Sequence, residues 1–231
     1  MKIKKVPLEY GWDWHLNSYR FIKENFKDYL FIGFFFIVNL LFIRLIPYVG
    51  HFIAAATLVP LIHVLYATFE EKKHKDYKFI LSEFISSFKK DEYKNLIYFK
   101  LATSILSYLL MISVNWKTKF LPISMMGLYL EIISVALMFH AVGLTQQFGM
   151  GFKPAIKQSV KNMLSNFMSE HLYIAWFIIL SLSSTLPAFV GWVFAAPLLA
   201  HSANLKFETL YENEINHVER VESEASFQEA V

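Results

Sequence analysis

Cysteine is absent from the 231 residues, which removes disulfides, thiolate metal sites and cysteine nucleophiles together. Charge is scarce: Asp, Glu, Lys and Arg make up 18%, where about 25% is usual for globular domains. Enzyme signatures are missing as well. There is no Gly-x-Ser-x-Gly elbow, no Walker loop, no dinucleotide fingerprint and no His-Glu-x-x-His, so nothing argues for catalysis and no cofactor is called for. The net charge is only +3, and the basic residues stand beside apolar runs, which leaves nucleic-acid binding without support. The basic start, Met1 to Lys5, is followed by Pro7, Glu9, Asp13 and His15, which interrupt what would be the apolar core of a signal peptide. The first span is therefore expected to be kept.

What the chain does have is apolar surface. Apolar and aromatic residues make up 55%, and Phe alone occurs 23 times, too much for one soluble core of this size to hide. Lipid is the natural alternative solvent. A bilayer core of about 30 Å needs about 20 helical residues, and six segments approach that length: Tyr29–Ile46, Phe52–Phe69, Leu96–Val114, Pro122–Phe148, Leu172–Leu186 and Phe189–Leu205. Pro47–Gly50 and Pro187–Gly191 read as turns at the membrane surface, because irregular backbone facing hydrocarbon is too costly. The last two segments are short, and a broken re-entrant pair is the alternative to two spans. The expected fold class is an all-α polytopic transmembrane bundle of six spans.

Orientation follows from Lys and Arg. Of the 22 basic residues, all but Arg44, Lys100, Lys117 and Lys119 fall on the N-terminus, the even connections or the region after the last span. That bias predicts cytoplasmic N- and C-termini. Tyr48, Trp116 and Trp192 suit the outer boundary, and Tyr29, Tyr66, Tyr98 and Tyr173 the inner one. Arg44 and Lys100, each within about a turn of a span end, are expected to snorkel outward. Lys206 is counted among the cytoplasmic charges.

Three stretches with basic flanks have the period of interfacial amphipathic helices: Leu16, Tyr19, Ile22 and Phe26; Tyr77, Leu81, Phe84 and Phe88; Phe152, Ile156, Val160, Met163 and Phe167. Each precedes a helical hairpin, giving three like-oriented, pseudo-repeated units of about 10–69, 77–148 and 152–207 within one transmembrane domain, 1–207. Asn25-Phe26 and Asn166-Phe167 hold corresponding places in the first and third. Residues 208–231 form an acidic cytoplasmic tail, expected to be disordered from about Ser223.

Intramembrane polar residues are the candidate site. Glu131 lies about ten residues into its segment and needs the bundle interior, a proton or a cation. His63, His140 and His201 each sit in the second helix of a unit, roughly 20–27 Å from the outer turn. Converging on one axis, they could bind a metal such as zinc or relay protons; packing histidines are the plainer reading. Pro60 and Pro197 fall inside spans as hinge or kink positions. Ala196, Ala200 and Ala203 give the last helix a strip for close packing, and Ser181, Ser183, Ser184 and Thr185 could line a polar path or bond across helices.

Gly11-Trp-x-Trp14 with the aromatic helix after it, Ile46-Pro47-x-x-Gly50, Pro60, and the closing Pro197, His201, Phe207 and Tyr211 resemble bacterial inner-membrane proteins of the YciC type. This is a family of unknown function. The resemblance implies a bacterial inner-membrane location and six helices, and carries over no activity. Two functions remain open: a non-catalytic membrane module organising lipids or partner proteins, and a small transporter or channel with a polar path near Glu131 and the histidines. The partners expected are membrane lipids, anionic lipid at the basic helices among them, with a membrane-protein partner or homo-oligomer as the protein counterpart.

Overall fold

The computed structural model describes residues 3–46, 49–70, 77–112, 121–185 and 191–229. These residues form eight helices and no strand: α1 Tyr10–Leu45, α2 Val49–Glu70, α3 Tyr77–Ser87, α4 Asp91–Ile112, α5 Leu121–Phe148, α6 Phe152–Ser165, α7 Phe167–Thr185 and α8 Trp192–Glu229. The expected all-α class is observed. Among the described residues three stretches are long and apolar enough to cross a membrane: Val49–Thr68, Asp91–Ile112 and Pro122–Phe148. Helices α6 and α7, bent by 98° at their junction, pass the same test only as a pair. The turns at Pro47 and Pro187, together with Tyr48, Trp116 and Lys72, Lys73, Lys75, Lys117 and Lys119, lie outside the described residues.

Helix α4 carries the pattern expected of a helix that faces lipid. Its inward stripe is Lys100, Ser104 and Ser107, all buried, at the i, i+4, i+7 spacing of one helix face. Its outward stripe is Ile105, Leu109 and Ile112, each about half exposed, with Tyr98 and Leu106 beside it. A water-soluble helix has the reverse pattern. The polar stripe lies against α5, where Ser107 Oγ donates to the Gly127 carbonyl at 2.6 Å. A Cβ built on Gly127 would stand 2.7 Å from the Ser107 carbonyl oxygen, so only glycine permits this close crossing.

Two asparagines break helices in the same way. Asn25 inside α1 has φ −113° and ψ 19°; Asn166, between α6 and α7, has φ −116° and ψ 35°. In both, the side chain reaches back one turn: Asn25 Nδ2 donates to the Phe21 carbonyl at 2.9 Å, and Asn166 Nδ2 to Asn162 Oδ1 at 3.0 Å. Between α5 and α6 the chain turns at Gly149, whose φ of 59° would strain any other L-residue. Helices α2 and α8 run unbroken through Pro60 and Pro197.

Helix α8 packs along α1: Trp14 Nε1 donates to Thr209 Oγ1 at 3.3 Å, and His201 Nδ1 lies 3.0 Å from Ser18 Oγ. The N-terminal strap crosses this pair, with Lys4 N donating to the Leu210 carbonyl and Val6 N to Asn166 Oδ1. Helix α8 then continues to Glu229, past Ser223, where disorder was expected. After Pro197 it meets no further proline or glycine, and glutamate and alanine are good helix formers.

The three amphipathic stretches divide their residues between the interior and the outside. On α3, Tyr77 and Leu81 do share an exposed stripe with Ile85, continued by Phe88 just past its end, while Ile80 and Ser87 are buried. On α6 the buried set is Ala155, Ser159, Asn162 and Met163, so polar groups turn inward and Val160 and Leu164 turn out. On the first stretch Ile22 is buried and Tyr19 exposed.

Candidate functional site

The most polar part of the interior is one that sequence reasoning passed over. Glu170 on α7 is fully buried, and Lys206 on α8 donates to its Oε2 at 2.6 Å. Asn162 Nδ2 on α6 donates to Oε1 at 2.9 Å, and His140 Nε2 on α5 lies 3.3 Å from the same oxygen. With its proton on Nε2, His140 becomes the third donor to this carboxylate. The Lys206 ammonium also stands 4.1 Å from the centre of the Tyr173 ring, a cation–π position. Ion pairs this deep persist only when the remaining capacity of the carboxylate is used, and here Asn162 and His140 supply it, with His140 Nδ1 left without a partner among the described residues. Asn166 extends the network: it donates to Asn162 Oδ1 and to the Lys4 carbonyl, tying the N-terminal strap to the cluster.

The expectation that Lys206 is a free cytoplasmic charge is corrected as to its surroundings and not its side: its relative exposure is 2%. It follows Leu199 and Ala203 on the buried stripe of α8, so helical period, not closeness to the span end, decides its position. Lys100 is corrected likewise. Only 1% exposed, it does not snorkel out but pairs with Glu131 Oε1 and donates to Ser104 and Ser134 at 2.9 and 2.8 Å. Glu131 thus has the cation its depth demanded. Its carboxylate also accepts from Ser104 Oγ at 3.1 and 3.0 Å.

The three histidines are engaged separately. His63 lies between Gln146 Oε1 at 2.9 Å and Glu83 Oε2 at 3.0 Å, His140 belongs to the Glu170 cluster, and His201 stacks on Phe21 with centroids 4.0 Å apart and contacts Ser18. Among the described residues no group of three or more His, Cys, Asp or Glu is placed to hold a metal ion. The shared zinc site imagined for His63, His140 and His201 is therefore not formed, because similar depth along three helices does not give convergent side chains. Of the small-residue features, Ala196, Ala200 and Ala203 are buried as expected and Ser183 is exposed; the side chains of Ser181, Ser184 and Thr185 lie outside the described set.

His15 is another buried group without a signal in the sequence. It stacks on Tyr173 at 4.6 Å, and its Nε2 donates to the Tyr173 carbonyl at 3.2 Å. Burial lowers its pKa to about 4, against the raising effect of that carbonyl, and the nearby Lys206 charge lowers it further. Because the folded value lies below the unfolded one, its contribution to stability is fully present above pH 6.5 and is lost as pH falls toward 4. His15→Phe keeps the stack and removes the titration. Its unfolding midpoint, followed between pH 6.5 and 4, is expected to fall less steeply than that of the unsubstituted protein, by up to about one proton in the linkage slope; parallel curves would contradict this.

Between α5 and α7 lies a cavity of about 360 Å³, within the range of ligand sites. One face of α5 forms its wall: Leu128, Glu131, Ile132, Val135, Ala136 and Phe139, about 16 Å of helix at 1.5 Å per residue. Ile174, Phe177 and Ile178 of α7 face them, and Tyr173 and Lys206 complete the lining. The Ala136 end is closed at 7% exposure, and the Leu128 end is open at 52%. The groove is apolar apart from two ions, each of which already has its counter-ion. A comparison with protein families, curated proteins and solved structures finds no match for the chain.

Proposed function

We propose that this chain is a non-catalytic module of the bacterial inner membrane that binds and organises lipid, with the α5–α7 groove taking one lipid chain. The observation that carries this reading is the groove itself. It is cut into the side of a helix long and apolar enough to span a membrane, it opens beside exposed Leu128, and its walls are hydrocarbon. What stands at such a mouth is acyl chain, which enters an apolar slot at no cost in hydrogen bonds. The exposed stripe of α3, with Lys78, Lys89 and Lys90 around it, supports a second contact, with anionic headgroups.

Six spans, three like-oriented units and cytoplasmic termini belong to the same proposal. Supporting them are the positive-inside bias, the matching backbone breaks at Asn25 and Asn166, and the resemblance to the YciC type. The transporter or channel reading draws less support, since Glu131 is neutralised by Lys100 and the histidines are engaged apart from one another. Native mass spectrometry of the protein released gently from detergent tests the lipid reading. The unsubstituted protein is expected to retain one lipid that Ala136→Trp, which fills the closed end of the groove, loses. Equal retention by both would count against the groove as the lipid site.

A further inference from the structure

We propose that the elbow between α6 and α7 binds an anionic phospholipid, with its headgroup at Lys157 and Lys161 and one acyl chain in the cleft beside them. This extends the lipid reading above to a second cleft, names the headgroup class, and rests on that reading. The cleft, of about 260 Å³, lies on a different stripe of α5 from the groove. Tyr129, Ile133 and Leu137 of α5, at i, i+4 and i+8, form about 12 Å of one wall, and Val160, Met163 and Leu164 of α6 form the other. Phe167 and His171 of α7 complete the lining. Leu164 is 70% exposed and Phe167 is exposed as well, so the mouth is apolar. His171 is used internally: with its proton on Nδ1 it donates to the Phe167 carbonyl at 2.7 Å and accepts from the Tyr129 hydroxyl at 2.8 Å. Hydrocarbon fills such a slot without breaking a hydrogen bond.

The headgroup class follows from charge. Lys153, Lys157 and Lys161 repeat every four residues along the exposed face of α6 and share that face with Val160 and Leu164. Helix α6 has no acidic residue, and among the described residues none of these lysines forms an ion pair. Glu170, the first acid after them, is buried and already paired with Lys206. Basic side chains bordering an apolar slot suit a head of net negative charge; a zwitterionic head would bring a cation to the same lysines. The elbow is also held in place. Asn162, on the opposite face of α6, donates to Glu170 and accepts from Asn166, which keeps α6 at its 98° bend to α7.

The test uses the full chain in lipid nanodiscs with a trace of photoactivatable phosphatidylglycerol or phosphatidylcholine, identical in acyl chains and carrying a diazirine in one of them. Peptides covering 160–164 report this cleft, and peptides covering 174–178 report the α5–α7 groove. At 160–164 the phosphatidylglycerol probe is expected to label about twentyfold more than the phosphatidylcholine probe, roughly fivefold for each lysine beside an anionic head. Lys157→Gln with Lys161→Gln should remove most of that preference and leave phosphatidylcholine labelling unchanged. Lys5→Gln with Lys23→Gln takes the same charge from exposed positions elsewhere and should keep the preference intact. Loss of the preference in both double variants would show diffuse attraction to a basic surface and overturn the site. Equal labelling of 160–164 by both probes in the unsubstituted protein, with 174–178 labelled, would overturn it too and leave the lipid-chain reading standing. Labelling of neither region would remove both.

Discussion

Glu170→Ala is expected to be the most damaging single substitution in the chain, lowering stability by about 3–5 kcal/mol, the usual cost of stranding one member of a buried ion pair. Lys206 would then be an ammonium at 2% exposure with the Tyr173 and Trp14 rings beside it, and Asn162 and His140 would lose their common acceptor. The loss should appear as a lower unfolding temperature in detergent. The informative control is the double substitution Glu170→Leu with Lys206→Met, which removes both charges and keeps their volume. It should recover most of the loss, because a buried pair is worth little beyond a well-packed apolar substitute. A double variant no more stable than Glu170→Ala would mean that the cluster contributes through its shape or through bound solvent instead.

The second large effect is an asymmetry at the other pair. Glu131→Gln leaves Lys100 charged and sealed, with the Ser104 and Ser134 hydroxyls and an amide as its company. Lys100→Met leaves Glu131, which is 20% exposed and still accepts from Ser104. Glu131→Gln should therefore destabilise by about 3–5 kcal/mol, and Lys100→Met by clearly less. Thermal unfolding of the two variants at neutral pH reads the difference. Equal losses would show that burial does not distinguish the partners.

These two pairs also mark how far the sequence could be read. The all-α class, and helices long and apolar enough to cross a membrane, followed from the long apolar runs. Glu131 stood out because an acid ten residues into such a run has no route to water. Its partner was legible too: Lys100, Ser104 and Ser107 repeat at i, i+4 and i+7, a polar stripe that must face another polar stripe. Closeness to a span end suggests a lysine that snorkels outward, but the period places Lys100 on the buried stripe. The Glu170 cluster left a fainter trace. Asn162, Asn166 and Glu170 fall four residues apart, but Asn166 interrupts the helix between them, so their spacing alone does not align them. Lys206 lies 36 residues further on. Only the packing of α8 against α1 and α7 brings it to the carboxylate, and nothing local records that. The histidines show the converse: a regular place in three units fixed their depth, while the direction of each side chain depended on neighbours particular to each unit.

Because the chain has no cysteine, single substitutions Val135→Cys and Ile178→Cys put one reporter on each wall of the α5–α7 groove. The most direct measurement is their reaction, in membrane vesicles opened to both faces, with a charged, water-borne maleimide and with a lipid-soluble one. A groove that takes a lipid chain predicts protection from the charged reagent at both positions and ready reaction with the lipid-soluble one. Rapid labelling of either position by the charged reagent would show water in the groove, and would contradict the lipid account in favour of a polar path through the protein.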